Sequence, residues 1–492
     1  MDIVQLFIQA GADVNMRHQT GRYGSPFIAA AFFVDDLDII HYLVDKCGAD
    51  IHALHLTGDY GSALVAAVNG LDADCEFRTG AYGSALVVAA AAAAAKRWRR
   101  QDPAVVKYLL NLGVDTNREL QIGDHGSALV ATAASGNLEQ MKYLVEDGNA
   151  NVDLVLRSGS FRNALIAAAA KSNLREVEYL VEKGRANVDL LLGSGYFGSA
   201  LIAAITSTFE FPVDQDIIEN LWRSSLDIDL ATQILDDDLT RVVLSASFAP
   251  HYKLKKAFRV VKCLVDAGAN VNLELKVGTF GNALTAAVAI GNLDQVKYLM
   301  REGSANANLQ LNTGSFGSAL VVAIIAYSKI RKLHPDAIHP TAIETLKEIV
   351  VGHTVDFIQP GRPPKNMAAT VARSLIDSTK ISLIDIIVYL LESGADANLQ
   401  LNVGPFRSAL VAAAATGCFW HVKYLVENAQ ADVSLQLRSG PYANAYEAAV
   451  AHEHHDIAEY LARNAGGDYA VSFPSSLSIS ANPHDEGQQE RE

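Results

Sequence analysis

Three hydrophobic rhythms follow one another along most of the chain. The first is a short run of small apolar residues, as in Ala164-Leu165-Ile166-Ala167-Ala168-Ala169-Ala170. The second sets Leu174, Val177, Leu180 and Val181 at three- and four-residue spacing among charged residues, one buried face of a helix. The third alternates strictly, in Leu309-Gln310-Leu311-Asn312, Leu399-Gln400-Leu401-Asn402 and Leu435-Gln436-Leu437-Arg438. Period two puts apolar side chains on one face and polar ones on the other, which predicts a β-hairpin arm. Asn163 is a good N-cap for the first helix, Ser172 and Asn173 break it, and Gly184 stops the second helix in a left-handed conformation. The predicted unit is helix, turn, helix, hairpin.

The phrase that opens the unit is a glycine, two residues, usually another glycine, then Ser or Asn and usually Ala-Leu. It recurs ten times, with its Ser or Asn at Ser25, Ser62, Ser84, Ser127, Asn163, Ser199, Asn282, Ser318, Ser408 and Asn444. The step is 36 residues from Ser127 to Asn163, Asn163 to Ser199, Asn282 to Ser318 and Ser408 to Asn444. A fixed period in the range of ~20–50 residues marks stacked units that touch only their neighbours.

Departures from the period set the organisation. Ser62 to Ser84 spans only 22 residues, too few for a second helix, so a truncated unit with a kink at Asp72–Cys75 is expected. Ser84 to Ser127 spans 43, and its surplus, Lys96-Arg97-Trp98-Arg99-Arg100, extends the alanine-rich helix. Ser199 to Asn282 is 83 residues and Ser318 to Ser408 is 90, each a unit with an insertion between its two helices. The first insertion predicts helices near 215–223 and 229–245; the second carries a capping box at Thr341–Glu344 and a Pro-Gly loop at 359–364. The residues leave three readings of these insertions open: a degenerate repeat, a helical excursion, or a dedicated partner site. The expected layout is repeats over 1–205, a helical insertion over 206–256, repeats over 257–326, and a second insertion over 327–380. Repeats with a polar cap then fill 381–469, and a disordered tail takes 470–492. Met1 opens directly into a second helix, so the first unit is expected to be incomplete, as in the downstream part of a longer protein.

These units resemble ankyrin repeats. The resemblance rests on second-helix endings such as Tyr389-Leu390-Leu391-Glu392-Ser393-Gly394-Ala395-Asp396-Ala397-Asn398 and Cys263-Leu264-Val265-Asp266-Ala267-Gly268-Ala269-Asn270-Val271-Asn272, with Gln5–Asn15 the same phrase. The family's usual Thr-Pro-Leu-His is altered to Ser/Asn-Ala-Leu, and only Ser25-Pro26-Phe27 keeps the proline. The Ala-Leu variant with its preceding Gly-x-Tyr/Phe-Gly is similar to the ankyrin arrays of fungal NACHT-type NTPase proteins. The resemblance implies a mainly α solenoid of about ten curved, stacked units.

Composition narrows the partners. A net charge of −15 makes nucleic acid and anionic membranes poor partners. Four scattered cysteines (Cys47, Cys75, Cys263, Cys418) fit free thiols in a reducing compartment, and no signal or spanning segment is apparent. An intracellular location is expected, cytoplasmic ahead of nuclear.

Candidate chemistry is thin. His452-Glu453-His454-His455 invites a zinc reading, but position 456, where a two-histidine zinc motif needs its second His, is Asp456. No GxxxxGK[ST] phosphate loop occurs. Basic clusters at Lys96–Arg100 and at Lys253, Lys255, Lys256 and Arg259 read as solvated helix ends, with an anionic partner as the second reading. No cofactor, metal site or catalytic group is expected.

One row stands out. The residue two before the cap is aromatic in nine units: Tyr23, Tyr60, Tyr82, Phe161, Phe197, Phe280, Phe316, Phe406 and Tyr442, with His125 the exception. Such a row supplies interface anchors, or packs between adjacent arms and glues them together. Arg157, Lys276, Gln310, Asn312, Gln400, Asn402 and Arg438 are the polar arm positions beside it. The function expected is non-catalytic binding of another protein through the concave face and hairpin tips, by a monomer. The alternative is an enzyme or regulatory module carried by 206–256 and 327–380.

Overall fold

The computed structural model describes residues 2–17, 25–32, 37–53, 104–120, 125–157, 160–194, 197–207, 239, 249, 251–276, 280–313, 316–331 and 367–465. The short Ser62 unit, the Lys96–Arg100 cluster, the helices expected within the two insertions (Leu239 apart) and the tail beyond 465 lie outside them. The described residues are mainly helical, in pairs.

Each first helix begins at its predicted cap. The Ser or Asn side chain accepts a hydrogen bond from a first-turn N–H at all eight described cap positions, for example Asn163 Oδ1 from Leu165 N–H at 2.9 Å and Ser408 Oγ from Val411 N–H at 3.2 Å. Ser25 opens Pro26–Phe32, and the helices after the other seven caps are Ala128–Ser135, Ala164–Ala170, Ala200–Thr206, Ala283–Ala289, Ala319–Arg331, Ala409–Ala415 and Ala445–Ala451. Consecutive members of this series pack on one another. Alanine allows the close approach, while Leu165 and Ile166, both fully buried, each contribute about 1.5–3 kcal/mol of apolar burial.

The second helices are Ala104–Asn111, Leu138–Glu146, Leu174–Glu182, His251–Asp266, Leu293–Arg301, Met367–Glu392, Phe419–Glu427 and His455–Asn464. His251–Asp266 packs on Ala200–Thr206 and on Leu174–Glu182, and Met367–Glu392 packs on Ala319–Arg331. Helices far apart in sequence thus pair as they do in the regular units.

Tyrosines link these second helices. Tyr108, Tyr179, Tyr298 and Tyr460 donate their hydroxyls to Asp45, Glu146, Asp266 and Glu427 on the preceding described second helix, at 2.7–3.2 Å. Lys107 lies over the Tyr143 ring, Lys262 over Tyr298 and Lys297 over Tyr389.

Two expectations are corrected. No strand occurs among the described residues; each arm is a loop closed by one backbone bond, such as Leu156 N–H to Arg162 C=O or Leu311 N–H to Gly317 C=O. A single bond does not make a ladder, yet the alternation is real: Leu120, Leu156, Leu192, Leu275, Leu311 and Leu401 are buried beneath the arms. Gly184 does not adopt the left-handed conformation; Arg185 does, with φ 54°. Glycine is needed at 184 because a Cβ there would stand 2.7 Å from the Leu180 carbonyl oxygen. The extra residue in this kind of unit moves the left-handed turn one place along.

Candidate functional site

The arms are fixed to one another from their bases. An Asp or Asn at the start of each loop accepts from the N–H two residues on, as Asn270 does from Asn272 at 3.0 Å. The second residue of the pair then reaches the next unit. Asn272 accepts from Asn306 N–H at 2.7 Å and donates to Ser304 C=O at 3.0 Å. Asn308 does the same with Asp396 N–H (2.7 Å) and Gly394 C=O (2.8 Å), and Asn398 with Asp432 N–H (2.7 Å) and Gln430 C=O (3.2 Å). Asn117, Asp153 and Asp189 accept likewise from Asn151, Asn187 and Asn270. Each arm base from Asn117 to Asp432 is therefore referenced to its neighbour.

Two carboxylates tie the arms higher up. Glu119 accepts from Arg157 N–H, and Glu274 accepts from Asn312 N–H and, at 2.8 Å, from Thr313 N–H. Burial pushes the Glu274 carboxyl up, but the bonds from Asn312 and Thr313 together outweigh it and hold the group below its ordinary value.

The aromatic row divides. Phe161 and Phe197 are 9% and 7% exposed and stack with centroids 6.1 Å apart, and His125 stacks on Phe161. Phe280, Phe316, Phe406 and Tyr442 are half-buried, with Tyr442 sharing a 2.7 Å hydrogen bond with His452 Nε2. Tyr23, Tyr60 and Tyr82 lie outside the described residues. Where ring follows ring, as at Phe161 and Phe197, the side chains fill the space between neighbouring arms.

The polar positions are the open ones. Arg157, Lys276, Gln310, Asn312, Asn402 and Arg438 are exposed, and Gln400 is half-buried with its amide donated to Gln436 C=O at 3.2 Å. Asn402 approaches Gln310 Oε1 and Asn312 Oδ1 at 3.4 and 3.5 Å, joining two arms in one strip of side-chain amides. Four of the first helices add nothing to this surface. Every side chain of Ala164–Ala170, Ala200–Thr206, Ala283–Ala289 and Ala409–Ala415 is buried, so their share of the expected concave face is withdrawn.

Sequence reading missed the acid and amide staples, although their Asp/Asn-x-Asn spacing is visible in Asp396-Ala397-Asn398. It also missed Arg162 and Arg407. Both take the left-handed backbone, at φ 61° and 59°, where other arms have glycine, and both bond back to their own loop, at Leu156 C=O and Asn402 C=O.

Other chemistry is muted. Burial pushes the Cys263 thiol up to about 11 and raises Cys418 too, so neither is a ready nucleophile. In the histidine cluster His454 Nε2–H donates to Ala415 C=O at 3.2 Å, closing the C-terminus of the preceding first helix. Among the described residues no three His, Cys, Asp or Glu side chains are grouped to hold a metal ion, and no helix is long and apolar enough to cross a membrane.

Residues 90–191 match the family model for ankyrin repeats, described as three copies. Repeats of this class generally mediate protein–protein interaction, and the matched span contains the Ser127 and Asn163 caps described above. No curated protein matches the chain.

Proposed function

We propose that this chain is a non-catalytic protein-binding scaffold, a solenoid of about ten units whose arm edge receives the partner. The observation that carries the reading is the unbroken set of arm-to-arm bonds from Asn117 to Asp432, which fixes exposed polar side chains at one position per unit. A surface ordered in advance loses little side-chain and loop freedom on binding, so more of its contact energy appears as affinity. The run of paired helices from 104 to 464 supports an array continuous through both insertions.

Affinity capture from cell extract with the full chain, beside a variant carrying Arg157→Glu, Lys276→Glu and Arg438→Glu, tests this. The partner retained by the native chain is expected to be lost from the variant. Equal recovery on both would remove the arm edge as the binding surface.

A further inference from the structure

The helix His251–Asp266 carries a second surface, on the face opposite its buried side. It holds five cationic side chains, Lys253, Lys255, Lys256, Arg259 and Lys262, against one carboxylate, Asp266, in a chain whose net charge is −15. Tyr252, Lys255, Arg259 and Lys262 follow one another at spacings of three, four and three, which places them in one stripe along the helix. All four are exposed, Tyr252 by 63%, and Lys256 is exposed beside them. Lys255, Lys256 and Arg259 make no ion pair among the described residues. The opposite face of the same helix, with Ala257, Val260, Val261 and Leu264, is fully buried. The cations are thus held by a helix anchored in the core.

The preceding second helix adds to the stripe. Arg175 lies four residues before Tyr179, as Arg259 lies four before Cys263, and the two helices pack together. Arg175 is exposed as well. Toward the C-terminal end the surface turns acidic, because Glu178, Glu182 and Asp266 gather around Cys263. The basic patch is therefore bounded, about 15 Å along the helix from Tyr252 to Lys262 at ~1.5 Å per residue.

From this we infer that the stripe Tyr252–Lys255–Arg259–Lys262 docks a short acidic segment of a partner polypeptide. Charge complementarity supplies the attraction, and the exposed Tyr252 ring supplies an aromatic anchor at one end. The bounded patch selects a peptide over an extended polyanion. A duplex or an anionic bilayer would reach past the stripe onto Glu178, Glu182 and Asp266 within a screening length of about 10 Å, where like charge opposes it.

The test uses the full chain and a fluorescein-labelled peptide of glutamates with apolar residues at helical spacing, about as long as the stripe. Saturable binding is expected, weakening with added salt and by about tenfold in Lys255→Glu/Arg259→Glu. Lys255→Gln/Arg259→Gln should fall between, and Tyr252→Ala should weaken binding without changing its salt dependence. Arg157→Glu/Arg438→Glu on the arms should bind as the native chain does, so failure here is separable from failure of the arm reading. Thermal melts of all variants should superimpose, since none of these side chains lies in the core. Absence of peptide binding, equal loss in the arm variant, or binding of duplex DNA or phosphatidylserine vesicles in place of the peptide would each overturn the proposal.

Discussion

His421 occupies the third position of its helix, where Leu138–Glu146 and Leu293–Arg301 have Gln140 and Gln295. It is completely buried, neither ring nitrogen has a hydrogen-bond partner, and Tyr327 and Trp420 meet its ring edge-on. Burial, with the nearby Arg331 adding to it, lowers its pKa to about 3. The unfolded chain takes up this proton near pH ~6.5, whereas the folded chain resists until near pH 3. The contribution of the neutral ring is therefore complete above about pH 6.5 and declines as pH falls toward 3. His421→Gln should flatten the decline of melting temperature between neutral and mildly acidic pH, relative to the native chain. Parallel curves for the two proteins would show that His421 is not the group responsible. Nothing in the sequence marked this residue, because a lone histidine on an apolar helix face has no pattern of its own.

At the scale of the element, the turn between first and second helix shows how far sequence carries. Caps, helix limits and the buried leucines of the arms were legible, because each follows from a side chain's own chemistry at a repeated position. The arms' true form was not, since alternation reports which face is buried and not whether a ladder forms. The identity of the left-handed residue was also hidden, as Gly184 and Arg185 show, because one inserted residue shifts it. Of the candidate surface, the repeated aromatic row and the polar arm positions could be read from the sequence, but burial of the first helices depends on neighbours that only the stack supplies. Gly417 is a case where two demands coincide. Its φ is 72°, and a Cβ would stand 2.4 Å from the His454 ring that closes the preceding helix. Gly268 has φ 90°, and a Cβ there would meet nothing within 4 Å. Gly268→Ala should cost about 1 kcal/mol from backbone strain alone, and Gly417→Ala should cost clearly more, about 2–4 kcal/mol, by displacing the ring. Urea denaturation of both variants measures the difference; equal losses would mean that His454 moves aside freely.

For the whole molecule the question is whether units separated by long insertions are nearest neighbours. The second helix of the Ser318 unit ends 61 residues after its first helix does, at Glu392 and Arg331, yet the two pack together. Such an array gains stability by contacts between adjacent units. The arm edge and the helix His251–Asp266 then belong to one stack, joined through the contacts of that helix with Ala200–Thr206 and Leu174–Glu182.

Hydrogen exchange at the Asp396 amide tests this most directly, because its acceptor is Asn308 Oδ1, 88 residues earlier in the chain, at 2.7 Å. The amide should exchange slowly in the native chain and markedly faster in Asn308→Ala, while the Asn306 amide, held by Asn272, keeps its protection. An Asp396 amide that already exchanges freely in the native chain, or one indifferent to Asn308→Ala, would contradict a stack that runs through the insertion.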